Sequence, residues 1–173
     1  ATDETGDIME AVFRHKWRIA EDGRIKPFAF AENPEAVFGE GSVFFMLSKE
    51  DSRDKYCKIS DICFEEAEPG RADMYFIDAD GTSGDESLYK NYALTPVMTG
   101  GYLPLFGSMM IGSAFSCAVA ALSLKNQTRY ACPVQENPFS ANICQATQSS
   151  PIEEIHCVRY CHNQRNGLIK LRK

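Results

Sequence analysis

Residues 105–124 read LFGSMMIGSAFSCAVAALSL and carry no charged side chain, in a chain of which 24% of the residues are charged. Four small residues recur at every fourth position of this segment: Ser108, Gly112, Ser116 and Ala120. On a helix they form one stripe, and a stripe of small side chains lets a second backbone approach closely. We therefore predict an apolar helix over 105–124 at the centre of the fold.

The same segment leaves two alternatives open. A helix of twenty residues rises about 30 Å, which is the thickness of the hydrocarbon core of a bilayer. Its four serines and two glycines weaken its hydropathy and no basic cluster flanks it, which disfavours membrane insertion but leaves it open. The segment could also be partly a buried strand, because periodicity does not separate a short buried strand from a buried helix.

Length and composition indicate a single globular domain over residues 1–173. The chain is 44% apolar, which is enough to build a core and argues against disorder. The net charge is −6 and the acidic residues are spread along the chain. Binding to nucleic acid needs a concentrated basic surface, so the sequence disfavours a nucleic-acid partner.

The cysteines indicate an oxidising compartment. Six of the seven could close small loops, paired as Cys57 with Cys63, Cys132 with Cys144, and Cys157 with Cys161. Six cysteines allow fifteen pairings, so the connectivity stays open, and on a helix Cys157 and Cys161 would pair better with Cys132 or Cys144 than with each other. Cys117 lies inside the uncharged run 105–124 as a free thiol. We predict a periplasmic or secreted protein with three disulfides.

Local patterns predict an α+β fold. An N-terminal helix begins at Asp7, and apolar runs predict strands over 42–48, 59–66 and 73–78, of which 42–48 is the central one. Residues 151–163 are predicted as a helix capped by Ser150. We expect a small antiparallel sheet packed with the N-terminal helix and the central apolar helix, and a disulfide-stabilised C-terminal region.

Two clusters offer metal ligands. Asp78, Asp80 and Asp85 lie around two glycines in a calcium-like loop, but Thr82 stands at the third ligand position and Tyr89 at the twelfth. The second cluster holds four soft ligands: His156, Cys157, Cys161 and His162. On a helix these four side chains do not converge, so we expect disulfides there and neither a metal nor a cofactor.

No catalytic motif stands out. Cys117 could be a nucleophile with His156 or His162 as its base, but it lies well inside the predicted helix, away from the N-terminal dipole that lowers a thiol pKa.

The preferred function is that of an exported, non-enzymatic binding protein. It would be an inhibitor, immunity-type protein or envelope component that recognises a protein partner through the loops at 32–41, 79–87 and 95–104. One alternative is a cysteine- or metal-dependent hydrolase that uses Cys117 or the 156–162 cluster. The other is a membrane-inserting or self-associating protein that uses 105–124. The sequence leaves the identity of the partner and the oligomeric state open.

Overall fold

The centre of the molecule is a five-stranded mixed sheet. In this computed structural model, which describes residues 2–3, 6–64, 69–160 and 166–173, the strands are β1 (Lys58–Phe64), β2 (Met74–Ile77), β3 (Met98–Gly100), β4 (Glu154–Tyr160) and β5 (Asn166–Arg172). Their order across the sheet is β1-β5-β4-β2-β3. β4 pairs with β2 in parallel and β2 with β3 in parallel, whereas β5 is antiparallel to both β4 and β1.

Strand β2 fixes two cores because it is buried on both faces. Side chains alternate along a strand, so Tyr75 and Ile77 face one side of the sheet and Met74 and Phe76 face the other. On the first side they join an aromatic cluster that includes Tyr92. On the second side they meet the main helix of the chain. Continuous burial of this kind is typical of a strand with parallel neighbours.

The main helix, α3, spans Gly112–Asn126 and packs on one face of the sheet, mainly against β4 and β5. Its small residues Gly112, Ser116 and Ala120 are buried, which confirms that the predicted stripe faces the interior. Gln127 follows in the left-handed conformation at φ 51° and ends the helix.

The start of the predicted helix is wrong. Residues 105–111 are not helical beyond a 3₁₀ turn at Leu103–Leu105, because the backbone of Ser108 is taken up by hydrogen bonds to Val37 and Gly39. Among the residues that the structure describes, no helix is long and apolar enough to cross a bilayer.

The remaining elements are short. Helix α1 spans Asp7–Lys16 and α2 spans Lys90–Ala93 after a 3₁₀ turn at Ser87–Tyr89. Three two-residue strand pairs complete the described part: Thr2–Asp3 with Gly41–Ser42, Arg18–Ile19 with Glu35–Ala36, and Thr128–Arg129 with Gln148–Ser149.

The α+β class is confirmed, as are the predicted strand at 59–66 over its described residues 59–64 and the strand at 73–78 over residues 74–77, but the sheet is mixed and not antiparallel. Two element predictions are wrong. Residues 154–160, predicted as helix, form strand β4, because this run is buried on both faces between β2 and β5. Residues 43–48, predicted as part of a central strand, form neither strand nor helix.

No disulfide links the described cysteines, so the predicted disulfide stabilisation is wrong for them. The structure holds six free thiols: Cys57, Cys63, Cys117, Cys132, Cys144 and Cys157. Cys161 lies outside the described residues. Cys57 and Cys117 instead pack in the same core cluster as buried Cys157, on the α3 side of the sheet. The periplasmic or secreted location stays a prediction that has lost its main argument.

Candidate functional site

The polar residues of the interior collect where two parallel strands end. β2 and β4 run side by side in register, with Ile77 opposite Val158, so the chain leaves both strands at the same edge of the sheet. The backbone N–H of Asp78 continues the pairing by donating to the Val158 carbonyl at 3.0 Å. Ligands of open sheets with parallel strands bind in the crevice outside these carboxyl ends. A ligand site is therefore expected at this edge of the sheet.

Alternation along the two strands aims three charged side chains at helix α3. Asp78 and Asp80 continue the parity of Met74 and Phe76, and Arg159 continues the parity of Cys157, all on the α3 side. We call these three residues, with Thr82, Glu86, Ser113 and Ser116, the carboxylate–arginine cluster.

Arg159 compensates the charge of Asp80. Its Nη2 donates to Thr82 Oγ1 at 2.9 Å and lies 3.4 Å from Asp80 Oδ2. Thr82 in turn donates to Asp80 Oδ1 from its backbone N–H at 3.0 Å and from its hydroxyl at 2.7 Å. The Asp80 side chain is 0% exposed and that of Arg159 is 19% exposed. The ion pair is thus internal, and Arg159 is its contact with the outside.

The first turn of α3 packs directly against the cluster. Gly112 is the first helical residue, and a Cβ at this position would lie 3.2 Å from Arg159 Nη1 and 3.5 Å from Asp80 Oδ2. A glycine here brings the helix start against the ion pair. One turn later, the buried Ser116 hydroxyl donates to Asp78 Oδ1. The small-residue stripe therefore serves the polar cluster as well as the packing of the helix.

Burial raises the pKa of two of the three carboxyl groups. Burial raises the pKa of Asp78, against the opposing effects of Arg159 and of hydrogen bonds from Ser116 and Ser113. Burial also raises the pKa of Glu86 to about 8, although its Oε1 accepts a 2.8 Å hydrogen bond from the Gly81 N–H. Desolvation penalises the charged form of a carboxyl group. The cluster thus combines an ion pair with two buried carboxyl groups whose pKa values are raised.

Neighbouring groups hold the loop after β2 in place. The Tyr89 hydroxyl donates to the Asp78 carbonyl at 3.0 Å and accepts from the Tyr160 N–H at 3.0 Å. The Ser108 hydroxyl donates to the Asp80 carbonyl. Gly81, at φ 88°, leaves no room for a Cβ, which would meet the Glu35 carbonyl oxygen at 2.1 Å. The loop at 79–87, expected to be a contact surface, is instead largely buried.

The three candidate calcium ligands are each held by hydrogen bonds to protein groups. Asp78 binds Ser116, Asp80 binds Thr82 and Arg159, and Asp85 Oδ1 accepts from the Ser87 N–H at 2.9 Å. In the described part of the chain, no three His, Cys, Asp or Glu side chains converge in a way that could hold a metal ion.

The sheet separates Cys117 from His156. Cys117 packs with Cys157 on the α3 side, whereas His156, the preceding residue of β4, points to the opposite face. There its ring lies 5.9 Å from that of Tyr75, and its Nε2 lies 2.7 Å from Glu154 Oε1. Contact with the Cys117 thiol and burial both raise the pKa of Cys157. His162 and Cys161 lie outside the described residues, so their predicted roles are not tested.

Sequence reasoning selected Asp78 and Asp80 only as candidate calcium ligands in what it took to be a polar loop, and it missed Arg159 and Ser113. The usable signal was parity: two acidic residues follow the buried strand β2 on the same side as Met74 and Phe76. Arg159 gave no such signal while residues 151–163 were interpreted as a helix.

Three solved structures share the fold of the whole chain at low sequence identity. The oxazolomycin ketosynthase domain of Streptomyces albus JA3453 matches with a TM-score of 0.72 and 13% identity, over 99% of this chain and 40% of that chain. The module 6 ketosynthase of the bacillaene synthase of Bacillus subtilis 168 matches with a TM-score of 0.68 and 11% identity, over 99% of this chain and 41% of that chain. The ishigamide ketosynthase/chain length factor matches with a TM-score of 0.65 and 10% identity, over 99% of this chain and 52% of that chain. No protein-family profile and no curated protein sequence matches the chain.

The chain thus has a ketosynthase-like fold and spans about half or less of the length of these structures. At these identities the likeness shows the fold alone. It nevertheless overturns the preferred function, since an inhibitor, immunity-type or envelope binding protein was predicted and the fold is one that enzymes use. The prediction of a non-enzymatic inhibitor or binding protein is therefore wrong.

Proposed function

We propose that this chain forms one half of a ketosynthase-type enzyme unit that acts on acyl groups. The observation that supports this is the position of the carboxylate–arginine cluster. In a fold shared with ketosynthases, it lies at the carboxyl ends of two parallel strands, under the first turn of α3. Ligand sites are found at this position in open sheets with parallel strands.

The groups at the outer side of the cluster are hydrogen-bond donors. Arg159 is partly exposed, and Ser113 is half-buried in the first turn of α3. Donors aimed at an acyl carbonyl stabilise the negative charge that develops on its oxygen when the carbonyl carbon is attacked. We assign to Arg159 and Ser113 the role of polarising an acyl carbonyl. The Ser113 hydroxyl donates to Asp78 in the free protein, and in this proposal it turns from Asp78 to the carbonyl oxygen when the acyl group binds. Asp80 positions Arg159, and burial raises the pKa of both Asp78 and Glu86 beside this pair.

We do not assign the nucleophile to the described residues of this half. Cys157 is buried, and its raised pKa disfavours the thiolate that would attack. Cys117 packs against the same core cluster one helical turn below Ser113. In the proposed unit, the attacking group comes from the other half.

Binding of an activated acyl group tests the proposal. The probe is octanoyl-N-acetylcysteamine, a thioester, carrying ¹³C at the carbonyl carbon. We expect its carbonyl resonance to move downfield on binding, because a donor withdraws charge from the oxygen. Ser113→Ala removes one neutral hydrogen bond worth about 1 kcal/mol, so the dissociation constant should rise about fivefold and the downfield shift should shrink.

Ser149→Ala is the matched control, because Ser149 is exposed in a two-residue strand and lies in a different element. It should leave both readouts unchanged. The proposal fails if the wild-type chain does not bind the thioester. It also fails if Ser113→Ala and Ser149→Ala behave alike.

A further inference from the structure

Four consecutive large apolar residues lie on the surface in one short segment. Phe44, Phe45, Met46 and Leu47 range in exposure from 48% for Phe45 to 99% for Met46. We call residues 44–47 the apolar segment. Single exposed apolar residues are ordinary, but a contiguous patch of this kind marks an interaction site.

The apolar segment has the composition of a buried strand without being one here. It consists of two phenylalanines, a methionine and a leucine, and the run SVFFMLS was predicted to be a central strand. The structure assigns no helix or strand to 43–48, although Gly41–Ser42 just before it is already extended and paired. The local preference is therefore for a strand whose sheet is absent from the described part of this chain.

The comparison structures indicate what covers the apolar segment. Each matches essentially the whole of this chain, yet about half or more of each ketosynthase chain lies outside the matched part. A body of similar size to this chain thus accompanies the shared fold in those proteins. We propose that residues 44–47 form a β-strand that joins the edge of a sheet in the other, ketosynthase-like half, whether on the same or on a separate polypeptide.

Strand addition explains both properties of the segment. Backbone N–H and C=O groups of 44–47 would pair with the sheet edge, and alternate side chains would pack against the two faces of the partner. An exposed apolar strand without such a partner is an aggregation hazard that folded proteins avoid. The inference rests on the half-unit of the proposed function, but it concerns a surface that the thioester assay does not use.

Site-specific cross-linking in cells of the source organism tests the inference. Phe44 is replaced by benzoylphenylalanine in the full-length protein, the cells are irradiated, and the adducts are mapped by mass spectrometry. We expect adducts to a predicted strand of a polypeptide segment that matches the part of the ketosynthases outside the region shared with this chain. The double variant Phe44→Asp, Met46→Asp should lower the amount of that segment that co-purifies at least tenfold.

Ile8 provides the control, because it is 81% exposed and lies on α1, outside the apolar segment. Benzoylphenylalanine at Ile8 should give no adduct to that segment, and Ile8→Asp should leave co-purification unchanged. Adducts from position 44 only to a second copy of this chain, only to lipid, or at the level of the Ile8 control would overturn the inference. The cross-linking needs no acyl substrate. Loss of the adduct with intact thioester binding would overturn this inference alone, and loss of thioester binding with an intact adduct would overturn the proposed function alone.

Discussion

At the scale of single residues, the interior solves the problem of buried charge in two ways. Asp80 is paired with Arg159 and accepts two hydrogen bonds from Thr82. Glu86 has no cation within hydrogen-bond distance among its described contacts, and its pKa is raised to about 8 instead. A buried carboxyl group that lacks a partner of opposite charge avoids the cost of desolvation by keeping its proton.

The raised pKa of Glu86 makes stability depend on pH. In the unfolded chain Glu86 titrates near its ordinary value of 4.5, so between about pH 5 and pH 8 the folded state binds more protons than the unfolded state. The free energy of unfolding should therefore fall by up to about 1.4 kcal/mol per pH unit in that window. Glu86→Gln, which can still accept from the Gly81 N–H, should remove this slope. Urea unfolding at pH 5.5, 6.5, 7.5 and 8.5 measures it.

Asp78 also has a raised pKa, so the variant should keep a residual slope of the same sign. Above pH 8 we expect Glu86→Gln to be more stable than the wild type. Glu21→Gln, at an exposed position, should follow the wild-type curve. Equal slopes for the wild type and Glu86→Gln would contradict the assignment of a buried, protonated Glu86.

The sequence identified residues of this cluster without their partners. Asp78, Asp80, Asp85 and Glu86 are grouped in one short segment, and that grouping is visible in the sequence. Arg159 is 79 residues away from Asp80 along the chain, and only the parallel pairing of β2 with β4 brings the two together. Pairing of this kind depends on the tertiary fold, and local patterns do not encode it.

At the scale of elements, strand β4 shows where periodicity fails. Ile152, Ile155 and Val158 recur every three residues, which favours a helix, but His156 and Cys157 between them are buried as well. A strand between two neighbours is apolar on both faces and loses the alternation that would identify it. Strands β1 and β2 were predictable because each is a short run bounded by turn-forming or charged residues. The run 42–48 has the same signal, but in the described part of the chain it has no sheet to join.

Helix α3 is fixed by the close approach of its small-residue face to the sheet. Ala120 is 0% exposed against the cluster of β2 and β4 side chains. Ala120→Leu should lower the free energy of unfolding by about 1–3 kcal/mol, because three extra carbon atoms have no space there. Chemical denaturation followed by far-ultraviolet circular dichroism measures the loss.

Ala118→Leu is the matched control on the same helix, because Ala118 is only half-buried. Its effect should stay within about 0.5 kcal/mol, since substitutions away from the tightly packed face are usually that small. If the two variants lose the same stability, the stripe does not set the distance between helix and sheet.

At the scale of the whole molecule, two cores lie on the two faces of one sheet, and no disulfide joins the cysteines that the structure describes. The predicted pairing of Cys57 with Cys63 fails because Cys57 packs on the α3 side of the sheet and Cys63 against the opposite core. Cys132 and Cys144 are neighbours through a 2.8 Å backbone hydrogen bond but remain thiols. The spacing of cysteines along the chain therefore did not report their positions in space.

The last prediction follows from those six thiols. If the cores hold the molecule together, a reductant such as dithiothreitol should leave the urea midpoint unchanged, because there is no loop closure for it to release. Unfolding in guanidinium chloride with iodoacetamide and without reductant should alkylate all six described cysteines, as measured by peptide mass spectrometry. Cys161 is scored separately, because the structure does not describe it. A pair of the six that reacts only after reduction would show that a cross-link forms in solution, and would restore the argument for an oxidising compartment.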